Sequence, residues 1–503
     1  MGERLAPVAV EGKANAKVAK DAKVREGDES FWVGWSGRNW RRMRVLKAVA
    51  LVVLGSIAMG AVAQQAWTVK PEWVRAHEEF LASDAMQGRG SATHDEEVAA
   101  TYVASEFMGY GLKTAPGMSG YIQSAEIVAP TLDGKATVTV GGVTLEEGKD
   151  FDLLSSPGKA AEGKVVHVAA SDIASAKLER GSAVIVTGAN DPDAALNAYG
   201  ALRRKGAAVV LVVQTPGNEN LLGMLGGSTR TPIRLADDPA PRGGATFVLV
   251  HAGAAAKLTA DGSTLSVAVK LLPPSKPRRT FNAIGYLPGS DPKAGTILLT
   301  AHLDHLGIGR PVNGDAVYNG ANDDAAGTTA VLEIAHALAA GPKLKRSVLF
   351  VCYGSEEAGE LGSTYFGQHP PVPLKELVAN LEFEMIGSQD PKMPKGVLLL
   401  TGWERSNLGP ELKKHGALLG PDPYPEQHFF ERSDNYALAL QGVVAHTAAG
   451  WGTVPTYHQP NDDLAHLDIP FMTAAIQSLV EPVRWLASSD FKPEWVTGGR
   501  PSN

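Results

Sequence analysis

The chain has 503 residues, which at roughly 100–200 residues per domain predicts two to four domains. Hydrophobic residues make up 44% and charged residues 20%, which excludes a wholly disordered chain, a collagen-like repeat and a multi-span membrane protein. A single cysteine excludes an internal disulfide framework and any cysteine-based zinc site, so a bound metal must be held by His and carboxylates.

The net charge of −7 is unevenly spread. Met1–Lys47 carries eleven basic and six acidic residues, and the remainder carries 36 basic against 48 acidic. A body this acidic is a poor nonspecific binder of nucleic acid. Arg41, Arg42, Arg44 and Lys47 precede the uncharged run Ala48–Ala63, which is short for a membrane span and ends Ala61-Val62-Ala63. That pattern predicts a leader and signal peptide over residues 1–63, with Gln64 the first mature residue. Met43 would begin a more typical signal peptide. The mature protein is expected to be periplasmic or secreted, without stable membrane association. Its oligomeric state is not encoded in any legible signal.

Trp73–Leu112 predicts helices with a turn, because apolar residues recur there at helical spacing. From about Ile127 to Leu272 the texture becomes short β-rich runs such as AVIVT and VVLVV, interrupted by one helix near PDAALNAYGALRR. A proline-rich linker, PPSKPRR, follows. The predicted organisation is one domain over residues 64–126 and 276–503, split by a β-rich insertion over 127–275. After Thr280, strand runs (TILLTAHL, RSVLFVCYG, LVANLEFEMI) alternate with helical ones (DDAAGTTAVLEIAHALAA, PFMTAAIQSLVEPVRWLASS). This predicts an α/β fold, doubly wound on a mostly parallel sheet, with sites at the carboxyl ends of the strands.

Acids and His cluster at those ends: His302 and Asp304, Asp323 and Asp324, Glu356 and Glu357, Glu382 and Glu384, then Tyr457 and His458. Singly each has an ordinary explanation; Asp323-Asp324 before a helix, for example, fits an N-cap. Together they suit two Zn²⁺ ions bridged by a carboxylate. His305, His415, His428, His446 and His466 read as structural or exposed, and Cys352 as a core residue.

The order and spacing of these segments resemble the co-catalytic zinc aminopeptidases of clan MH, the twenty-eighth metallopeptidase family. LASDAMQGRGSATHDEEVAATYVASEFMGYGL and FERSDNYALALQG are also similar to segments of that family, and the β-rich block resembles a protease-associated (PA) domain. The resemblance implies a zinc exopeptidase fold, peptide substrates and two zinc ions per chain. It implies metal ligation by His302, Asp323, Glu357, Glu384 and His458, with Asp323 bridging. It also implies Glu356 as general base, Asp304 as acceptor for the His302 imidazole, and Tyr457 as donor to the oxyanion. The better-known members carry Asp where this chain has Glu384, which bears on aminopeptidase specificity; Glu382 is the weaker ligand candidate. An aminopeptidase is therefore expected. The rivals are a carboxypeptidase or dipeptidase of the clan, a single-zinc glutaminyl-cyclase-like enzyme, and a non-catalytic receptor-like relative.

Overall fold

The computed structural model describes residues 67–225, 229–239, 244–258, 261–274 and 276–502. The expected leader, residues 1–63, lies outside the described residues, and so does its cleavage site. Among the described residues no helix is long and apolar enough to cross a membrane.

Nine strands form the larger sheet. Its central strands, Thr296–His302 and Ser347–Tyr353, are buried at every position, as helices covering both faces require. Successive residues alternate between faces. Ile297, Leu299 and Ala301 enter one core and Leu298 the other; Val348, Phe350 and Cys352 separate from Leu349, Val351 and Tyr353 in the same way. Cys352 is thus the core residue its apolar run suggests. Helices Ala326–Ala339 and Ile469–Ser488 pack on the first face with Pro71–Leu81 and His94–Gly109. The second face is covered by Leu361–Gln368 and Asn435–Leu440. The helix starts follow local chemistry. Asp468 accepts the N–H of Phe471 at 2.9 Å, and Thr93 that of Asp95 at 3.2 Å.

Thr296–His302 pairs in parallel with Ser347–Tyr353 and with Leu377–Glu384, which pairs in parallel with Ala445–Ala449. Their carboxyl ends therefore share one edge. The outer pairings differ. Arg278–Leu287 is antiparallel to both Ser347–Tyr353 and Ile122–Val128, and Leu398–Leu400 is antiparallel to Ala445–Ala449. The sheet is mixed rather than mostly parallel. Parallel neighbours need long crossovers, which the central strands have and, at one margin, the parallel pair Leu398–Leu400 and Leu419–Pro421.

A second, eight-stranded sheet lies between residues 137 and 268. Its core strands, Ala183–Thr187, Val209–Val213 and Thr246–Val250, are parallel, and helix Pro192–Arg204 covers one face. The chain enters and leaves this body through a two-stranded neck, Thr131–Leu132 against Leu271–Leu272. It also touches back: Arg234–Leu235 pairs with Ile122–Val128 at the margin of the larger sheet.

His446, on the strand Ala445–Ala449, is fully buried away from the acids. Its Nδ1 donates to the Thr401 carbonyl at 2.8 Å, so Nε2 accepts from the Ser406 hydroxyl at 2.7 Å. Burial lowers its pKa to about 4. An unfolded His near 6.5 takes up a proton that the folded ring refuses, so this group's stability is complete above pH 6.5 and is lost as pH falls to 4. The expected loss is about 3 kcal/mol. Urea unfolding of wild type and His446→Gln at pH 8 and pH 4 reads it as a difference of differences, and parallel pH dependences would refute it.

Candidate metal centre

Five loops at the shared edge bring the acids and imidazoles together. His302 ends its strand, and Glu384 ends the strand beside it. Asp323 lies in the short turn Ala321–Ala325 before helix Ala326–Ala339. Two carboxylates hold that turn. Asp462 accepts the N–H groups of Asn322 and Asp323, both at 3.0 Å. Asp324 accepts from Gly327 and Met385, both at 2.9 Å. The acid pair therefore divides its labour: Asp324 caps the helix and ties down the strand end, and Asp323 faces the site.

Asp323 stands between two imidazoles. Its Oδ1 is 3.2 Å from His302 Nε2, and its Oδ2 is 3.2 Å from His458 Nε2. Glu357 Oε1 lies 2.9 Å from the same His458 nitrogen. His302, Asp323 and Glu384 place one donor atom each within 4.8 Å of one another, and so do His305, Asp323 and Glu357. Asp323 belongs to both sets, as a bridging ligand must. Glu382 does not compete: its Oε2 accepts from the Asn435 N–H at 2.6 Å and the Thr447 hydroxyl at 3.1 Å.

The tautomers point the same way. His458 Nδ1 meets the Met224 carbonyl at 2.8 Å, and His302 Nδ1 meets the Asp304 carbonyl at 3.3 Å. A carbonyl only accepts, so each Nδ1 carries the proton and each neutral Nε2 turns a lone pair toward a carboxylate. Lone pair against anion is repulsive unless a cation lies between. With protons as the only cations, burial would lower His458, but Glu357 and Asp323 override it and hold the ring at about 10. Asp323 Oδ2 and Glu357 Oε1 have no hydrogen-bond partner despite these approaches. Oxygens and nitrogens this close, yet aimed past one another, converge on a common point. A divalent cation with N and O ligands fits that donor set.

Asp304 is placed differently from the sequence expectation. Its carboxylate is 3.8 Å from His302 Nδ1, and its main-chain carbonyl is nearer. The carboxylate instead accepts from the main-chain N–H groups of Glu356 at 2.9 Å and Glu357 at 3.3 Å, and from the Ser91 hydroxyl at 2.5 Å. It orders the loop that carries both glutamates. Burial raises the Glu356 carboxyl well above the usual range; His302 opposes the rise, and Glu357, Asp434 and Glu384 add to it. Tyr457 stacks on His458 with ring centroids 3.8 Å apart, and burial with Asp323 and Glu357 keeps its hydroxyl protonated.

Several supports were not legible as such. Arg89 is fully buried and donates to the carbonyls of Leu81, Leu303, Asn319 and Gly320, which pins both loops flanking the site. Glu96 accepts from Ala92, Ser355, Thr280 and Phe281, bracing the residue before Glu356. His305, read as structural or exposed, is fully buried with Nδ1 3.1 Å from Glu357 Oε1. Ser355, Met385 and His458 adopt left-handed backbone at φ 53°, 53° and 55°. Each is at or beside a site residue, where such strain concentrates.

Two cavities open here. A narrow one of about 40 Å³ is lined by Glu384 and Tyr457 with Thr401, Phe429 and Arg432. A larger one of about 700 Å³ is lined by His305 and Glu357 on one side and by Leu225 and Arg230 of the second body on the other.

Residues 282–481 match Peptidase family M28. The chain is 25% identical over 398 residues to the "Probable lipoprotein aminopeptidase LpqL" of Mycobacterium tuberculosis, covering 70% of this chain and 73% of that protein. It is 34% identical over 113 residues to "Leupeptin-inactivating enzyme 1" of Streptomyces exfoliatus, which is 22% of this chain and 24% of that enzyme, so the match spans about a quarter of that relative. The fold is similar to the aminopeptidase from Aneurinibacillus sp. strain AM-1, with a TM-score of 0.54 at 21% identity over 84% of this chain and 94% of that one. It is also similar to BSAP, a zinc aminopeptidase from Bacillus subtilis, with a TM-score of 0.53 at 19% identity over 84% and 96%. The matched stretch contains every acid and imidazole gathered at the strand ends, and over it the chain is similar to Peptidase family M28.

Proposed function

We propose that this protein is an exported two-zinc aminopeptidase that removes N-terminal residues from peptides, with a PA-like inserted domain. The observation that carries the reading is Asp323, whose two oxygens each face an imidazole Nε2 at 3.2 Å while Glu357 and Glu384 complete the two donor sets. His302, Asp323 and Glu384 would hold one ion; Glu357 and His458 would hold the other with Asp323. Bound zinc would supply Lewis acidity and lower the pKa of a water toward neutrality.

The protein's own groups do the rest. Glu356 is the base that takes the proton of the attacking water and hands it to the departing amine. Tyr457 donates to the oxyanion as it forms. Glu384, which lines the narrow cavity, receives the substrate's ammonium end. The small cavity beside Glu384 takes the terminal side chain, and the larger one beside Glu357 takes the rest of the peptide. A site set between a blind pocket and an open trough suits an exopeptidase. The uncharged run Ala48–Ala63 after a basic stretch supports export to the periplasm or medium.

The test is a panel of aminoacyl chromogenic substrates, free and N-acetylated, on the zinc-loaded protein. Turnover confined to free amino termini is expected. Equal turnover of N-blocked compounds, or cleavage only from the carboxyl end, would overturn the aminopeptidase assignment.

A further inference from the structure

We propose that His305 is a metal donor, so that the two halves of the site are unequal: one nitrogen and two oxygens around His302, two nitrogens and two oxygens around His458. The proposal rests on the metallopeptidase reading above and adds a ligand to it. His305 Nδ1 is 3.1 Å from Glu357 Oε1 and 3.9 Å from Asp323 Oδ2. His458 Nε2 approaches the same two oxygens at 2.9 and 3.2 Å. The two rings stand 5.6 Å apart between centroids and 71° to one another. Four donors from four loops thus surround one point.

Hydrogen bonding does not account for this cluster. Neither nitrogen of His305 has a hydrogen-bond partner, and neither does Asp323 Oδ2 or Glu357 Oε1. Leaving buried polar atoms unpaired is costly, and a shared cation removes that cost for three of them at once.

The ring is also held where it stands. The His305 main-chain N–H donates to the Arg89 carbonyl at 3.1 Å. The imidazole rests on the bare α-carbon of Gly320, where a Cβ would come within 2.5 Å of the ring. Gly320 is itself left-handed at φ 60° and leads into the turn that carries Asp323. The same backbone therefore sets the positions of the bridging carboxylate and the extra imidazole.

Imidazole donors favour Zn²⁺ and Co²⁺ over Mg²⁺ and Mn²⁺, whereas carboxylates suit the harder ions. The half with His305 and His458 is therefore the tighter and more zinc-selective one, and it fills first. The half around His302 exchanges more readily.

The experiment uses the full mature protein, stripped with chelator and reloaded with zinc. Wild type carrying one equivalent is expected to show two imidazoles by X-ray absorption, and His305→Ala one. The first zinc affinity of His305→Ala, read by competition with a chromogenic chelator, should fall by about 100-fold or more, beyond what loss of an outer-shell partner gives. His305→Gln should show the same loss, and circular dichroism of both variants should show the native fold. One imidazole in singly loaded wild type, or wild-type affinity in both variants, would overturn the ligand assignment. A wild type that retains no zinc at all would instead overturn the metallopeptidase reading beneath it.

Discussion

Glu356→Gln is expected to lower kcat by about 10²- to 10⁴-fold while leaving zinc content at the wild-type level. Glutamine fills the same space but cannot accept the proton of a water. The loop should keep its position, because Asp304 holds it through the main-chain N–H groups of residues 356 and 357, which the substitution does not touch. Steady-state kinetics beside elemental analysis on one preparation check both halves. A variant that keeps its rate would remove Glu356 from the chemistry, and one that loses metal would make it a ligand.

Asp323→Ala should do the reverse, losing metal first and activity as a consequence. Both donor sets contain this carboxylate, so each of the two proposed ions would lose an oxygen in one substitution. Charge stabilisation worth several kcal/mol would go with them, a drop of roughly a thousandfold or more in kcat/KM. The neighbouring Asp324→Asn is the contrast. Asp324 accepts the N–H groups of Gly327 and Met385, so its amide variant should weaken the fold, seen in Tm, more than it weakens zinc binding. Equal zinc retention in Asp323→Ala and wild type would refute the bridging role.

That acids and imidazoles gather at the strand ends was readable from the sequence pattern; the roles expected of them came from the family resemblance. Strands TILLTAHL and RSVLFVCYG are apolar at every position because both their faces are covered, and their ends were natural places to seek acids and imidazoles. The antiparallel margin was not readable. RRTFNAIGYL mixes exposed and buried residues without clean alternation, and its partner Ile122–Val128 lies some 150 residues away along the chain. Arg89 and Glu96 resemble surface charges in sequence; their partners are main-chain groups brought close only by folding. His305 is buried for a different reason. An isolated imidazole three residues beyond a strand has no periodicity to reveal its burial, and its neighbours are oxygens contributed by residues 323 and 357. Asp304 was sought at the His302 imidazole; its carboxylate stands 3.8 Å from that ring and also accepts from the N–H groups of Glu356 and Glu357, partners that spacing cannot reveal.

The contact between Met224 and His458 links two bodies that the chain also joins by a slender neck and by the pairing of Arg234–Leu235 with Ile122–Val128. His458 takes its orientation from a carbonyl on the other body, and Asn220 reinforces the contact by donating to Gln459 at 3.2 Å. Swinging that body outward would free the imidazole to rotate, so whatever fastens Nε2 on one side also latches the domain on the other. By thermodynamic reciprocity, a cation fixing Nε2 and the carbonyl contact at Nδ1 would strengthen one another by the same factor.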